Sequence, residues 1–309
     1  MLEVGNLSVR FTRYGEGWSR RSLEPITGLD LTAEAGEVVA VVGESGAGKS
    51  LLAHALLGLL PRNAEITGTM RFKGRELTPG VLERLRGREI ALIPQSVGFL
   101  DPLMRIGRQV ERAARLSGLG AGEAGPAADQ ALSRYGLSLL VKRLFPYQVS
   151  GGMARRVLTA AATAGRASLI LADEPTTGLD PVILKETLRH LRDLADAGKA
   201  VVLITHDLEA ALRIADRVVV FCAGTTVEAA RPEDFRKEGP RGAGPRHPYT
   251  RALWRALPGV EFEANGLRPS RDVVGCPFHP TCREAVERCA AEFPPLAAVG
   301  NGLARCFNA

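Results

Sequence analysis

Aromatic residues are scarce: ten Phe, four Tyr and two Trp make 5% of 309 residues. So thin a supply argues against a surface that stacks successive nucleic-acid bases. No apolar run approaches the roughly 18 residues needed to cross a bilayer. The opening MLEVGNLSVRF lacks a basic segment followed by a continuous apolar one, so it does not read as a secretory signal. Lys and Arg number 40 against 34 Asp and Glu, a net charge of +6, yet no five like charges stand together. The basic excess is therefore spread over a mixed, solvated surface, and no nucleic-acid partner is expected. Internal repeats and long heptad runs are also missing. What remains is 45% hydrophobic and 24% charged, the balance of a globular chain of one large domain or two ordinary ones.

Cysteine is rare too, and unevenly placed. Cys222 stands alone after Val218-Val-Val-Phe221 and reads as a small core hydrophobe. Cys276, Cys282, Cys289 and Cys306 crowd the C-terminal end in the spacing C-x5-C-x6-C-x16-C. Without an export signal, clustered thiols point to metal rather than to disulfides. Four thiolates can hold a [4Fe–4S] cluster or a tetrahedral Zn²⁺. The tight C-x2-4-C knuckle common in zinc sites is missing, which favours the cluster, and unligated thiols are the third possibility.

Periodicity gives an α/β chain. Residues 1–11 alternate as an edge strand does. Val38–Val42, Leu169–Ala172 and Val201–Ile204 are short apolar runs that read as buried parallel strands. Ser50–Leu60 reads as a helix stopped by Pro61, and Val182–Ala197 has helical spacing. Residues 105–165, rich in Arg and Ala, read as a helical insertion interrupted by a flexible GLGAGEAGP stretch. From Arg231 onward, Pro and Gly rise, as in a linker to a small terminal module.

Ligands bind at the carboxyl ends of such strands, and those ends carry GESGAGKS, DEP and THD. Gly43 to Ser50 is G-x-x-x-x-G-K-S, a loop whose N–H groups can turn inward around phosphate. The loop set is Gly43, Glu44, Ser45, Gly46, Ala47, Gly48, Lys49 and Ser50, with position 51 behind it. Lys49 can reach the β- and γ-phosphates, and the Ser50 hydroxyl can ligate Mg²⁺. Asp173, closing an apolar strand, supplies the second Mg²⁺ contact, and Glu174 can activate a water. Gln95, Val149-Ser150-Gly151-Gly152-Met153 and His206-Asp207 complete the set.

That order resembles the nucleotide-binding subunits of ATP-binding cassette (ABC) transporters over residues 1–235. The resemblance implies an α/β P-loop cassette with a parallel-sheet core, antiparallel N-terminal strands and a helical subdomain over about 96–165. Residues 236–309 form a C-terminal extension with the four-cysteine cluster. It further implies two cassettes closing head to tail on two ATP molecules. Ser150 and Gly152 would contact ATP held by the partner, and Asp180 would sit at the seam. His206 would touch the γ-phosphate. Gln95 would link Mg²⁺ and water to the membrane subunits, and Phe11, with Tyr14 as competitor, would stack on adenine. Val149 replaces the family's usual Leu or Phe.

Arg246-His-Pro-Tyr-Thr-Arg-Ala-Leu253 and Cys276-Pro-Phe-His-Pro-Thr-Cys282 resemble the extension of dipeptide, oligopeptide and nickel importers, with Thr281 where Arg is usual. The segment after Gln95 leans toward nickel or metal-chelate members. The implied partners are a second, different ATPase subunit, two transmembrane permease subunits and an extracytoplasmic binding protein. The implied location is peripheral, on the cytoplasmic face of the membrane. The alternative is a soluble ABC ATPase of DNA repair or translation. Such proteins carry long coiled coils or paired cassettes, and this sequence has neither.

Overall fold

A computed structural model describes residues 1–14, 20–235, 244–258, 260, 269–271 and 273–309. In chain order, β1 (Leu2–Tyr14), β2 (Arg20–Ala33) and β3 (Val38–Gly43) lead into α1 (Lys49–Leu56). Then come β4 (Ala64–Phe72), β5 (Arg75–Glu76), α2 (Pro79–Leu85) and β6 (Ile90–Ile93). Helices α3 (Ile106–Leu116), α4 (Ala121–Arg134) and α5 (Gly151–Thr163) follow. The chain returns through β7 (Leu169–Asp173), α6 (Pro181–Asp196), β8 (Ala200–Thr205), α7 (Leu208–Ile214), β9 (Arg217–Cys222) and β10 (Thr225–Ala230). It ends with α8 (Pro248–Arg255), α9 (Glu287–Ala291), β11 (Ala297–Val299) and β12 (Gly302–Ala304).

Two sheets result. An antiparallel sheet runs β2-β1-β4-β5, and a larger sheet runs β11-β12-β10-β9-β3-β8-β7-β6. The apolar runs at β3, β7 and β8 are buried throughout and pair in parallel, because the antiparallel sheet and α1 cover one face, α6 and α7 cover the other, and no position needs to meet water. The first strand is not an edge: β1 lies between β2 and β4. Alternation reports that one face is buried, as Leu2, Leu7 and Val9 are, but says nothing about how many neighbours a strand has.

Two further expectations are corrected. Helix α1 ends at Leu56, four residues before Leu60, because Gly58 takes a left-handed φ of 63° and closes the last turn. The GLGAGEAGP stretch is no flexible break. Glu123 accepts the Gly120 N–H at 2.9 Å, and Ala121 to Pro126 form the start of α4. Burial of Ala124, Ala128, Ala131 and Leu132 against α3 and α5 outweighs the weak propensity of Gly122, Gly125 and Pro126. The linker residues 236–243 lie outside the described residues.

The C-terminal extension is joined to the cassette core. Strand β12 pairs with β10, continuing the large sheet. Tyr249, Cys276, Phe278 and Cys289 share a hydrophobic cluster with Val220, Cys222 and Val227. Arg305 reaches inward to the carbonyls of Gly28, Thr226 and Pro294, and its guanidinium pairs with Asp30 at 2.9 Å. Among the described residues, no helix is long and apolar enough to cross a membrane.

Candidate functional site

The site sits where β3, β7 and β8 end side by side. Strand β3 turns at Gly43, where a side chain would collide with the Phe221 carbonyl, 2.3 Å from an added Cβ. Gly48 holds φ 99° at the entry to α1, and an added Cβ there would lie 2.7 Å from the Pro25 carbonyl. Glycine at both ends thus gives the loop a tight path, with Ser45 and Gly46 exposed at its crest.

Lys49 is 6% exposed, and its Nζ donates to the carbonyls of Gly43 at 2.7 Å and Glu44 at 2.8 Å. Burial lowers its pKa, while Glu174, Asp173 and Glu44 pull it back up. Ser50 Oγ donates to Asp173 Oδ1 at 3.0 Å, so the two oxygens expected to flank Mg²⁺ already meet. Burial raises the Asp173 pKa, and the Ser50 bond opposes it. A buried carboxylate bonded to a hydroxyl is a donor set that fits a hard divalent cation.

Glu174 is 8% exposed and takes a left-handed φ of 49°, a sparsely populated conformation for a residue with a side chain. Its N–H donates to the Ile204 carbonyl at 2.8 Å, tying β7 to β8. Its carboxylate lies 2.9 Å, through both oxygens, from Nδ1 of His206, whose side chain is 51% exposed. Thr177 Oγ1 donates to Glu174 Oε2 at 3.0 Å. A carboxylate held this way, with a half-exposed imidazole beside it, can accept a proton from a water approaching from solvent.

The other sequence candidates are more dispersed. Gln95 is exposed just beyond β6, the edge strand of the large sheet. Ser150 caps α5, its Oγ accepting the Met153 N–H at 3.3 Å, and Gly151 and Gly152 are exposed there. Asp180 caps α6 through the N–H groups of Val182 and Ile183. Phe11 is half-buried, packed on the core between the sheets. The side chain of Tyr14 lies outside the described residues.

Sequence reasoning missed three contacts at the site: Thr177 on Glu174, Tyr249 beside the Glu44 main chain, and Arg271 donating to the Gly46 carbonyl. Tyr249 was visible as part of a motif without a role. The other two arise from the folded path alone.

The four C-terminal cysteines line one small pocket with His247, Pro248 and Phe278. Burial pushes the Cys276 thiol up to about 11, and raises Cys282 and Cys306 as well. His247 Nε2 lies 3.9 Å from Cys276 Sγ. Among the described residues, no three His, Cys, Asp or Glu side chains gather closely enough to hold a single metal ion.

The sequence pattern of the family described as ABC transporter matches residues 26–177, and that of the oligopeptide/dipeptide transporter C-terminal region matches residues 227–289. The oligopeptide transport ATP-binding protein OppD of Salmonella typhimurium is 36% identical over all of this chain and 93% of its own length. This chain belongs to the ABC transporter family. The oligopeptide transport ATP-binding protein AppD of Bacillus subtilis is 32% identical over 99% of the chain and 96% of its own length. Among solved structures, an ABC cassette dimer in a post-hydrolysis state, bound to ADP and phosphate, superimposes with a TM-score of 0.66. It is 26% identical, covering 75% of this chain and 99% of that one. The ABC cassette of this chain is therefore an ATPase, built on the fold that the strand ends display.

Proposed function

We propose that this chain is the ATP-hydrolysing subunit of an importer that takes up peptides. The observation that carries the reading is a single chain joining an intact hydrolysis site to the oligopeptide/dipeptide transporter C-terminal region. Its relatives, over nearly their whole lengths, are oligopeptide transport ATP-binding proteins. None of those named carries nickel in its description, so peptide is preferred to the metal chelate that the segment after Gln95 suggested.

Phosphoryl transfer is mostly positioning and charge neutralisation. Lys49 leaves the carbonyls of Gly43 and Glu44 for the β- and γ-phosphates, and the loop N–H groups surround the same oxygens. Ser50 and Asp173 would hold Mg²⁺, which when bound would supply positive charge to the transferring phosphoryl group. Glu174 orients the attacking water and accepts its proton. His206 steadies the Glu174 carboxylate and reaches the γ-phosphate. Phe11 stacks on adenine. Ser150 and Gly152, at the positive end of α5, meet the ATP of a partner cassette, with Asp180 at the seam.

The division follows chemistry: cassette 1–235, with a helical part over 96–165, and extension 236–309. An apolar groove lined by Leu57, Ile90, Pro94, Phe99, Leu116 and Leu158 opens beside the Gln95 segment. It receives an apolar-tipped helix of the permease, so that Gln95 senses both the site and the membrane subunit. A second, different cassette, two permease subunits and an outside binding protein complete the complex, with this chain on the cytoplasmic face. The loose C-x5-C-x6-C-x16-C spacing, without the tight knuckle common in zinc sites, favours a [4Fe–4S] cluster over zinc as the group that the four thiols of the C-terminal pocket would hold. Its role is to staple the extension.

Glu174→Gln is expected to keep ATP binding and to lose hydrolysis by at least about 100-fold in the assembled complex. Near-normal turnover would remove Glu174 from its role. Native mass spectrometry of ligand carried by the purified complex and its binding protein should show short peptides. A single nickel chelate there would overturn the peptide assignment.

A further inference from the structure

The phosphate loop is backed by the C-terminal extension at two of its residues, Glu44 and Gly46. Tyr249, at the start of α8, is fully buried. Its ring stands edge-on to Phe278, with centroids 5.4 Å apart. Its hydroxyl lies beside the main chain of Glu44 yet makes no completed hydrogen bond. A buried hydroxyl without a partner is uncommon and calls for an explanation. The second contact is Arg271, whose guanidinium donates to the carbonyl of Gly46 from the outer side of the loop.

Both contacts trace back to the cysteine segment. Ser270, next to Arg271, donates its N–H to the Pro277 carbonyl at 2.8 Å. Pro277 lies between Cys276 and Phe278, and the Cys276 N–H is bound in turn to the Cys289 carbonyl at 2.8 Å. Gly275 leaves no room for movement there: an added Cβ would lie 2.1 Å from the Cys289 carbonyl. So one tightly packed segment fixes Phe278, which seats Tyr249, and the Ser270 main chain, which carries Arg271.

We infer that Tyr249 and Arg271 are positioning residues for the phosphate loop, and that the cysteine segment acts on ATP binding through them. In the empty site, Lys49 donates to the carbonyls of Gly43 and Glu44. When Lys49 turns to the phosphates, the Gly43–Glu44 peptide loses part of its anchorage. Tyr249 then completes its bond to the Glu44 main chain. Arg271 keeps the Gly46 carbonyl turned outward, so that the loop N–H groups stay turned in. Neither side chain touches the reacting atoms, and the inference rests on the assignment of this loop to ATP phosphates.

The test uses the full chain and its assembled complex, with Tyr249→Phe, Arg271→Ala, Arg271→Lys and Lys49→Ala. Because the Tyr249 hydroxyl is unpaired in the empty site, Tyr249→Phe should leave the unfolding temperature without nucleotide unchanged or slightly higher. It should nevertheless weaken ATP binding roughly three- to tenfold, read by titration with a fluorescent ATP analogue. Arg271→Ala should raise the KM for ATP by a similar factor, with kcat within about twofold, and Arg271→Lys should recover most of the loss. Unchanged ATP affinity in both Tyr249→Phe and Arg271→Ala overturns the inference, as does a fall in kcat at constant KM. Lys49→Ala is the standard. If it binds ATP normally, the phosphate-loop assignment itself falls, which separates that failure from this one.

Discussion

At the scale of single residues, Glu174 is the most constrained group in the site. It combines a left-handed backbone, an N–H tied to β8 and a carboxylate held by His206 and Thr177. Backbone strain of this kind costs on the order of 1–3 kcal/mol and persists only where neighbours over-determine it. Here the fixed geometry aims the carboxylate before substrate arrives. Thr177→Val removes one of its two side-chain anchors without changing size much. We expect kcat to fall about fivefold with the KM for ATP unchanged, and Thr177→Ser, which keeps the hydroxyl, to restore it. A steady-state rate series in the assembled complex decides this, and equal loss in Val and Ser would show that the methyl group, not the hydroxyl, matters. The pairing of the loop with Asp173 was legible, since G-x-x-x-x-G-K-S has few other uses and gives meaning to an acid at a neighbouring strand end, and the structure sets Ser50 against Asp173. Thr177 and Arg271 were not, because a hydroxyl or guanidinium gains meaning only from what the fold sets beside it.

At the scale of elements, the parallel strands were readable because burial on both faces leaves an unbroken apolar run. The fate of GLGAGEAGP was not, because tertiary packing of four small or apolar side chains overruled local propensity. Helix α8 shows a third case, where one capping residue carries pH dependence. The His247 ring accepts the Tyr249 N–H at 3.0 Å through Nδ1, and the His247 main-chain N–H donates to the Glu228 carboxylate at 2.9 Å. Burial first, and Arg251 second, lower its pKa to about 3 from an ordinary 6.5. Between those values the unfolded chain binds the proton and the folded chain does not. Stability contributed by the neutral ring is therefore complete above about pH 6.5 and declines as the pH falls toward 3. From pH 7 to pH 5 the loss is about 2 kcal/mol from this group alone. His247→Asn keeps a capping acceptor but does not titrate. Urea unfolding at both pH values should show a steeper drop in the native protein than in the variant, and parallel curves would refute the assignment.

At the scale of the whole molecule, the sequence suggests a seam near residue 235, where Pro and Gly accumulate and the cassette motifs end. The structure crosses that seam in three places. β12 covers the edge of β10, Tyr249 and Phe278 fill the same core as Val220 and Val227, and Arg305 spans to Gly28 and Asp30 between the two sheets. Composition reveals where a chain is irregular, but not whether the part beyond shares a core with the part before. A fragment ending at Phe235 would therefore bare the backbone of β10, a ready edge for pairing with another chain. It would also lose the packing of Tyr249, Cys276, Phe278 and Cys289. Each large side chain contributes on the order of 1.5–3 kcal/mol when fully buried, against a total stability of about 5–15 kcal/mol for a typical domain. The expected outcome is a fragment that aggregates, or melts well below the full chain by circular dichroism. A fragment 1–235 that stays monomeric and melts at the full-length temperature would show instead that the extension is an appendage. In that case the path from the cysteine pocket to the phosphate loop would have no structural basis.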